Sequence, residues 1–280
     1  MENGVPKDLD KRRVYTDLET NTVFSTNTQY GGNVLGPKKL AMRLAIRRGS
    51  REGWLTEHMF IMGVHGPEGR VSYYTGAFPS GCGKTSTAML PGESLIGDDI
   101  AYLREIDGEL RAANPERGIF GIIRDVNPED DPLIWESITS SGEVIFSNVL
   151  MKEKTPYWMG MGRELPKEGV NYIGKWRKGK TSSDGDVVDP SHRNARYTLR
   201  ISDLDNSDPR IDDPDGVKID GMIYGGRDSD TWVPVEEAFG WDHGILTKGA
   251  ALESETTAAT LGKEKKRVFN PMSNLDFLSV

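Results

Sequence analysis

The sequence predicts an α/β or α+β protein with a phosphate-binding loop at a strand–helix joint. Three observations carry this. "HMFIMGVHG" and "GRVSYYTGAF" are short apolar runs closed by glycine and proline, which suits buried strands. "KKLAMRLAIRRGSREGW" places Leu40, Leu44 and Ile46 with Ala41 and Ala45 at mainly helical spacing, with a basic outer face. Between the second run and "TSTAML", which opens a helix, stands the glycine-rich "FPSGCGKT".

The chain of 280 residues is long enough for one large domain or two small ones, and it can bury a sizeable core. Hydrophobic content is a modest 36%, and 32 glycines point to many turns. A formal charge of −8 excludes the usual basic signature of a nucleic-acid binder. No apolar run approaches the roughly 18 residues of a membrane span. The start, "MENGVPKDLDKRRVY", has no apolar signal core. One cysteine cannot form an intramolecular disulfide, which fits a reducing cytosol. The expectation is a cytoplasmic protein that engages neither nucleic acid nor membrane.

Along the chain, residues 1–29 read as an irregular polar lead-in to the rest of the fold. "SLIGDDIAYLREIDGELRAANPERGIFGII" reads as strands separated by turns, with Asp107-Gly108 a hairpin signal. Lys175 to Pro214 is rich in Gly, Ser, Asp and Pro and reads as long irregular connection. "GVKIDGMIYGGR" returns to strand pattern, and "SETTAATLGKEKK" suits a mobile surface loop. No repeat and no interdomain linker stand out.

The phosphate loop G-x-x-x-x-G-K-[ST] aligns with Phe78 to Thr85, so its first glycine is missing while its end is intact. Gly81 and Gly83 free backbone N–H groups for phosphate oxygens, and Lys84 adds a point charge. Thr85 offers a hydroxyl to the nucleotide's divalent ion, and the following helix adds its positive end. The competing reading is an ordinary strand–turn–helix joint that happens to contain GKT. "LIGDDI", residues 95–100, runs apolar residues into paired aspartates, the acidic strand end that binds metal–nucleotide in phosphoryl transfer. Taken alone it is more often a solvated turn. A lone His58, the pair Lys38-Lys39, and the arginines Arg196 and Arg227 carry no function by themselves, although guanidinium forks match phosphate and carboxylate.

Taken together, "YGGNVLGPKK", "EGWLTEHMFIMGV", "AFPSGCGKTSTAML", "GDDIAYLR", "ANPERGIFGI", "GVKIDGMIYGGR" and "SETTAA" resemble the GTP-type phosphoenolpyruvate carboxykinases. They fall in the family's order over most of residues 30–270. The resemblance implies that residues 30–280 form an α/β catalytic and nucleotide-binding lobe, incomplete at the C-terminus, with a mixed sheet and a P-loop. It also implies a lyase of gluconeogenesis that converts oxaloacetate and GTP into phosphoenolpyruvate, CO₂ and GDP. Lys39, His58 and Asp99 match the protein ligands of a substrate-site metal, usually Mn²⁺, and Thr85 the ligand of a second ion, Mg²⁺ or Mn²⁺, that arrives with GTP. Gly81, Cys82, Gly83, Lys84, Thr85 and Ser86 match the nucleotide loop, with Arg196 and Arg227 facing phosphate. Tyr30, Gly32, Ser80, Asn194 and Arg196 match substrate-binding positions, and Cys82, Lys84, Arg196 and Arg227 the catalytic set. Ser254 to Lys266 matches a closing lid.

Those roles imply one chemical sequence. Decarboxylation leaves an enolate whose oxygen needs a nearby cation, while Lys84 and the two arginines neutralise the transferred phosphoryl group. Departures are expected to matter. Family members are expected to be about twice this length and monomeric when complete, with an N-terminal lobe of which this chain lacks nearly all, and guanine-stacking aromatics that should begin at about the point where it stops. Asp228 and Glu253 stand where many members have arginine. An inactive nucleotide- or metal-binding fragment, and a P-loop kinase with another acceptor, remain as alternatives.

Overall fold

The computed structural model describes residues 8–27, 37–78, 82–140, 142–182, 185–226, 233, 235–248, 253–255 and 267–269. In chain order, β1 (Arg13–Asp17) and β2 (Thr22–Thr26) precede helix α1 (Pro37–Glu52). Then come β3 (Leu55–Glu57), β4 (Phe60–His65), β5 (Val71–Ala77) and the short helix α2 (Lys84–Ala88). Strands β6 (Ser94–Gly97), β7 (Ala101–Ile106), β8 (Glu109–Ala113) and β9 (Gly118–Ile122) follow, then helix α3 (Pro132–Thr139). Next are β10 (Ile145–Ser147), β11 (Leu150–Lys152), β12 (Thr155–Tyr157), β13 (Glu168–Asn171), β14 (Gly174–Arg177) and β15 (Arg196–Arg200). Last come β16 (Val217–Lys218), β17 (Gly221–Tyr224), the one-turn helix α4 (Trp241–His243), β18 (Glu253–Glu255) and β19 (Arg267–Phe269). Among the described residues no helix is long and apolar enough to cross a membrane.

The chain divides into two compact units, one of residues 1–44 and 117–205, the other of 45–116 and 206–280. Each is discontinuous in sequence, so no Pro- or Gly-rich linker marks a boundary. That is why none was legible.

In the second unit a mixed sheet runs β17-β5-β4-β6, with β17 parallel to β5 and the other pairs antiparallel. β4 is apolar on both sides because it is central: Phe60 and Ile61 are fully buried. Gly76 faces Phe60 across the β4–β5 pair, where a Cβ would lie 2.1 Å from the ring. A second, antiparallel sheet runs β16-β8-β7-β3. Its β7–β8 turn is Asp107-Gly108 with both φ positive, 54° and 77°, the left-handed pair that a tight hairpin needs. Met59, Ile61, Tyr73, Ile96, Leu103 and Val217 lie in one core cluster of this unit.

The first unit has an antiparallel sheet β10-β15-β9 and a four-stranded sheet β12-β11-β13-β14. Helix α3 buries Ile134, Trp135 and Ile138, and Trp158 donates its indole N–H to the Val126 carbonyl at 2.8 Å.

Two sequence expectations are corrected. Residues 13–26 are not irregular: β1 and β2 form a hairpin whose turn is closed by Asp17, which accepts the Glu19 N–H at 2.9 Å and the Thr20 hydroxyl at 2.7 Å. The stretch from Lys175 to Pro214 is not wholly irregular either, because β15 is the central strand of its sheet. Its period-two pattern sends Tyr197 and Leu199 into the core between Arg196, Thr198 and Arg200. Two apolar residues among arginines and a threonine are a weak signal, and pairing on both edges supplies what composition lacks. Residues 206–208 also run along β6: the Leu95 N–H reaches the Asn206 carbonyl and the Asp208 N–H the Leu95 carbonyl, each at 2.8 Å. That contact covers a sheet edge.

Candidate active site

Antiparallel pairing brings the sequence-distant candidates of the second unit together. Phe60 pairs with Gly76 and Ile61 with Gly97, so β4 begins where β5 and β6 end. His58 precedes β4, the loop to α2 follows β5, and Asp98-Asp99 follow β6. All three meet at one end of the mixed sheet.

There His58 Nε2 lies 2.6 Å from Asp99 Oδ1. Lys84 pairs with the same carboxylate oxygen and donates to the Asp98 carbonyl at 2.9 Å. Asp98 is only 6% exposed, and among the described residues its buried Oδ1 has no hydrogen-bond partner. Gly83 takes a left-handed φ of 93°, a conformation that costs an L side chain, and its carbonyl accepts the Thr87 N–H at 2.9 Å to start α2. Cys82 is a half-buried thiol outside any disulfide; Thr85 is half-buried and Ser86 exposed.

The arrangement concentrates two carboxylates, an imidazole and an ammonium group at a strand–helix joint. Among the described residues no group of three or more His, Cys, Asp and Glu side chains is placed to hold a metal. The His58 imidazole and the Asp99 carboxylate, with the buried Asp98 oxygen next in sequence, offer nitrogen and oxygen donors of the kind that Mn²⁺ accepts, while Lys84 stands among them as an ammonium group. The residues fit a cation.

Asn114 is a residue that the sequence reading passed over. Its amide donates to the Ile96 and Glu116 carbonyls, both at 2.8 Å, and holds the β6 end that carries the aspartates. A Cβ on Gly97 would sit 2.6 Å from it, so that glycine makes room for the clamp.

In the first unit Asn194 and Arg196 lie together. Arg196 Nε donates to Asn194 Oδ1 at 2.9 Å, and Nη1 donates to the Phe120 carbonyl at 3.2 Å. Burial pushes the Arg196 pKa below the usual guanidinium range. Among the described residues no carboxylate pairs with it. The Asn194 N–H in turn donates to His192 Nδ1 at 3.0 Å. Tyr30, Gly32, Ser80, Gly81, Arg227 and Asp228 lie outside the described residues, as do the side chains of Lys39, in the first turn of α1, and of Glu253. Of the expected lid only Ser254 and Glu255 are described, in β18 paired with β19.

A strand–loop–helix phosphate site beside paired aspartates on a mixed sheet defines a P-loop nucleotide-binding lobe. Residues 54–280 match the family model described as phosphoenolpyruvate carboxykinase C-terminal P-loop domain, and residues 2–50 match its N-terminal domain. The chain belongs to the GTP-type phosphoenolpyruvate carboxykinase family. A curated relative from Pyrococcus furiosus, named phosphoenolpyruvate carboxykinase [GTP], is 60% identical over 280 residues, 100% of this chain and 45% of the relative. Relatives of the same name from Saccharolobus solfataricus and Anaeromyxobacter are 49% and 39% identical over 98% and 93% of this chain. The chain spans about 45% of the length of the first of these relatives.

Proposed function

We propose that the chain carries the metal- and nucleotide-binding part of a GTP-dependent phosphoenolpyruvate carboxykinase that decarboxylates and phosphorylates oxaloacetate. The observation that supports this most is the convergence of His58 and Lys84 on Asp99, beside the buried, unpartnered Asp98 oxygen. Lys84 balances one of the two adjacent carboxylates, so the cluster keeps a negative charge that a bound cation would offset.

In this reading Lys39, His58 and Asp99 hold the substrate-site Mn²⁺. When bound there, the ion supplies positive charge where decarboxylation develops negative charge. Lys84 leaves Asp99 for the nucleotide phosphates, and Thr85 binds the ion that accompanies GTP. Gly81, Cys82, Gly83 and Ser86 line the phosphate loop. Tyr30, Gly32, Ser80 and Asn194 orient oxaloacetate, and Arg196 and Arg227 face the transferred phosphoryl group. The segment from Ser254 to Lys266 closes to exclude water, which would otherwise protonate the carbanionic product to pyruvate. A reducing cytoplasm suits the single thiol at Cys82.

The reading is tested by titrating Mn²⁺ into the chain and following free ion by electron paramagnetic resonance. Saturable binding that is lost in His58→Ala supports it. Identical binding in wild type and His58→Ala would sink it. Alkylation of Cys82 should slow when GTP and Mg²⁺ are present, and an unchanged rate would count against the loop's role.

A further inference from the structure

Phe120 and Arg196 sit on neighbouring strands. Arg196 pairs with Ile122 and Thr198 with Phe120, so Phe120 is the diagonal neighbour of Arg196 on one face of the sheet. That face is the open one: Ile122 is 40% exposed, while Ile119, Tyr197 and Leu199 point into the core. The guanidinium carbon stands 4.8 Å from the centroid of the Phe120 ring, and Nη1 donates to the carbonyl of the same residue.

Arg196 is thus a cation whose burial disfavours its charge and for which no carboxylate among the described residues compensates. A buried, unneutralised guanidinium needs support from something other than an acid if its remaining N–H groups are to stay available for an anion. The negative face of an aromatic ring gives that support without occupying a donor. The Phe120 carbonyl and the Asn194 amide oxygen take one donor each, which fixes the plane of the fork and leaves Nη2 without a protein acceptor among the described residues.

We propose that Phe120 is a positioning residue for anion capture: its ring and carbonyl hold Arg196 charged and aimed, with Nη2 offered to a phosphate or carboxylate group. This rests on the reading of Arg196 as an anion-binding residue and adds the residue that prepares it. The ring, rather than its volume, carries the effect, because an aliphatic side chain of similar size has no quadrupole.

The test uses the purified chain with Mn²⁺, phosphoenolpyruvate as the probe, and calorimetry for affinity. Arg196→Gln should abolish the Arg196-dependent part of binding. Phe120→Leu and Phe120→Met should weaken it by roughly three- to thirty-fold, the range of a partly desolvated cation–π contact. Phe120→Tyr should bind like wild type. In parallel, the Arg196 Nε–H resonance, assigned by its absence in Arg196→Lys, should be shifted upfield by the ring in wild type and Phe120→Tyr and return in Phe120→Leu.

If Arg196→Gln loses binding while Phe120→Leu binds as wild type, the positioning role is overturned and the anion site stands. Should Arg196→Gln bind like the wild type, or the wild type itself fail to bind, the anion site is overturned. The resonance then decides whether the ring holds the guanidinium. A wild-type Arg196 signal without the upfield shift overturns the platform whatever the affinities, including where the aliphatic variants fail to fold.

Discussion

Asp99 and His58 are 41 residues apart in sequence, yet Asp99 Oδ1 and His58 Nε2 are separated by 2.6 Å. The antiparallel register of β4 with β6 places one just before a strand and the other just after its neighbour. The pair is a consequence of the sheet, and the chemistry assigned to it depends on that register.

Asp99→Asn removes the negative charge that His58 and Lys84 share. It should lower Mn²⁺ affinity at least about ten-fold, in line with the loss of groups that hold or orient a metal ligand. Mn²⁺ titration of Asp99→Asn beside wild type checks this. Equal affinities would remove Asp99 from the ligand set.

Asp98 illustrates a site residue that works against the fold. Its Oδ1 is buried without a partner among the described residues, so Asp98→Asn, which removes the buried charge, should raise stability without ligand by about 1–3 kcal/mol. It should also weaken binding of the metal–nucleotide. Urea denaturation with and without Mg²⁺–GTP measures both, and a destabilised Asp98→Asn would contradict the assignment.

Gly76 lies under the Phe60 ring, where a Cβ would approach to 2.1 Å, and Phe60 is fully buried and cannot swing away. Gly76→Ala should cost about 1–3 kcal/mol through overpacking. Part of that loss should return in the double variant with Phe60→Leu. An additive pair of effects in denaturant melts would show that the two residues do not press on each other.

His192 has its pKa lowered, first by burial and then by the Arg193 cation, with Asp189 acting the other way. Its ring meets Tyr172 edge-on, and Nδ1 accepts the Asn194 N–H. A histidine whose folded pKa lies below its unfolded value of 6.5 contributes stability that is fully present above that value. The contribution is lost as pH falls through the folded pKa. The urea midpoint should therefore drop below pH 6.5 more steeply in wild type than in His192→Gln. Parallel pH profiles would refute it.

Most elements were legible because their signals are local. The period of α1, the apolar runs of β4 and β5, and the Asp107-Gly108 turn each follow from a few adjacent residues. The loop Gly83-Lys84-Thr85 and the paired aspartates were legible as types of chemistry, and their family follows from seven quoted stretches. The β1–β2 hairpin and β15 were not legible, since their polar strands are held by pairing and turn geometry instead of by hydrophobic pattern.

Residue types and order alone determined which groups this protein can bring to a reaction: a lysine and threonine after a glycine loop, two aspartates, a histidine, and an Asn–Ala–Arg triplet. Only the tertiary structure decided which of them meet. Register set His58 and Lys84 on Asp99, and a diagonal strand contact set Arg196 on Phe120. The physical reason is that hydrogen-bonded pairing fixes distances between residues far apart in sequence. A chain read one residue after another carries no measure of such distances.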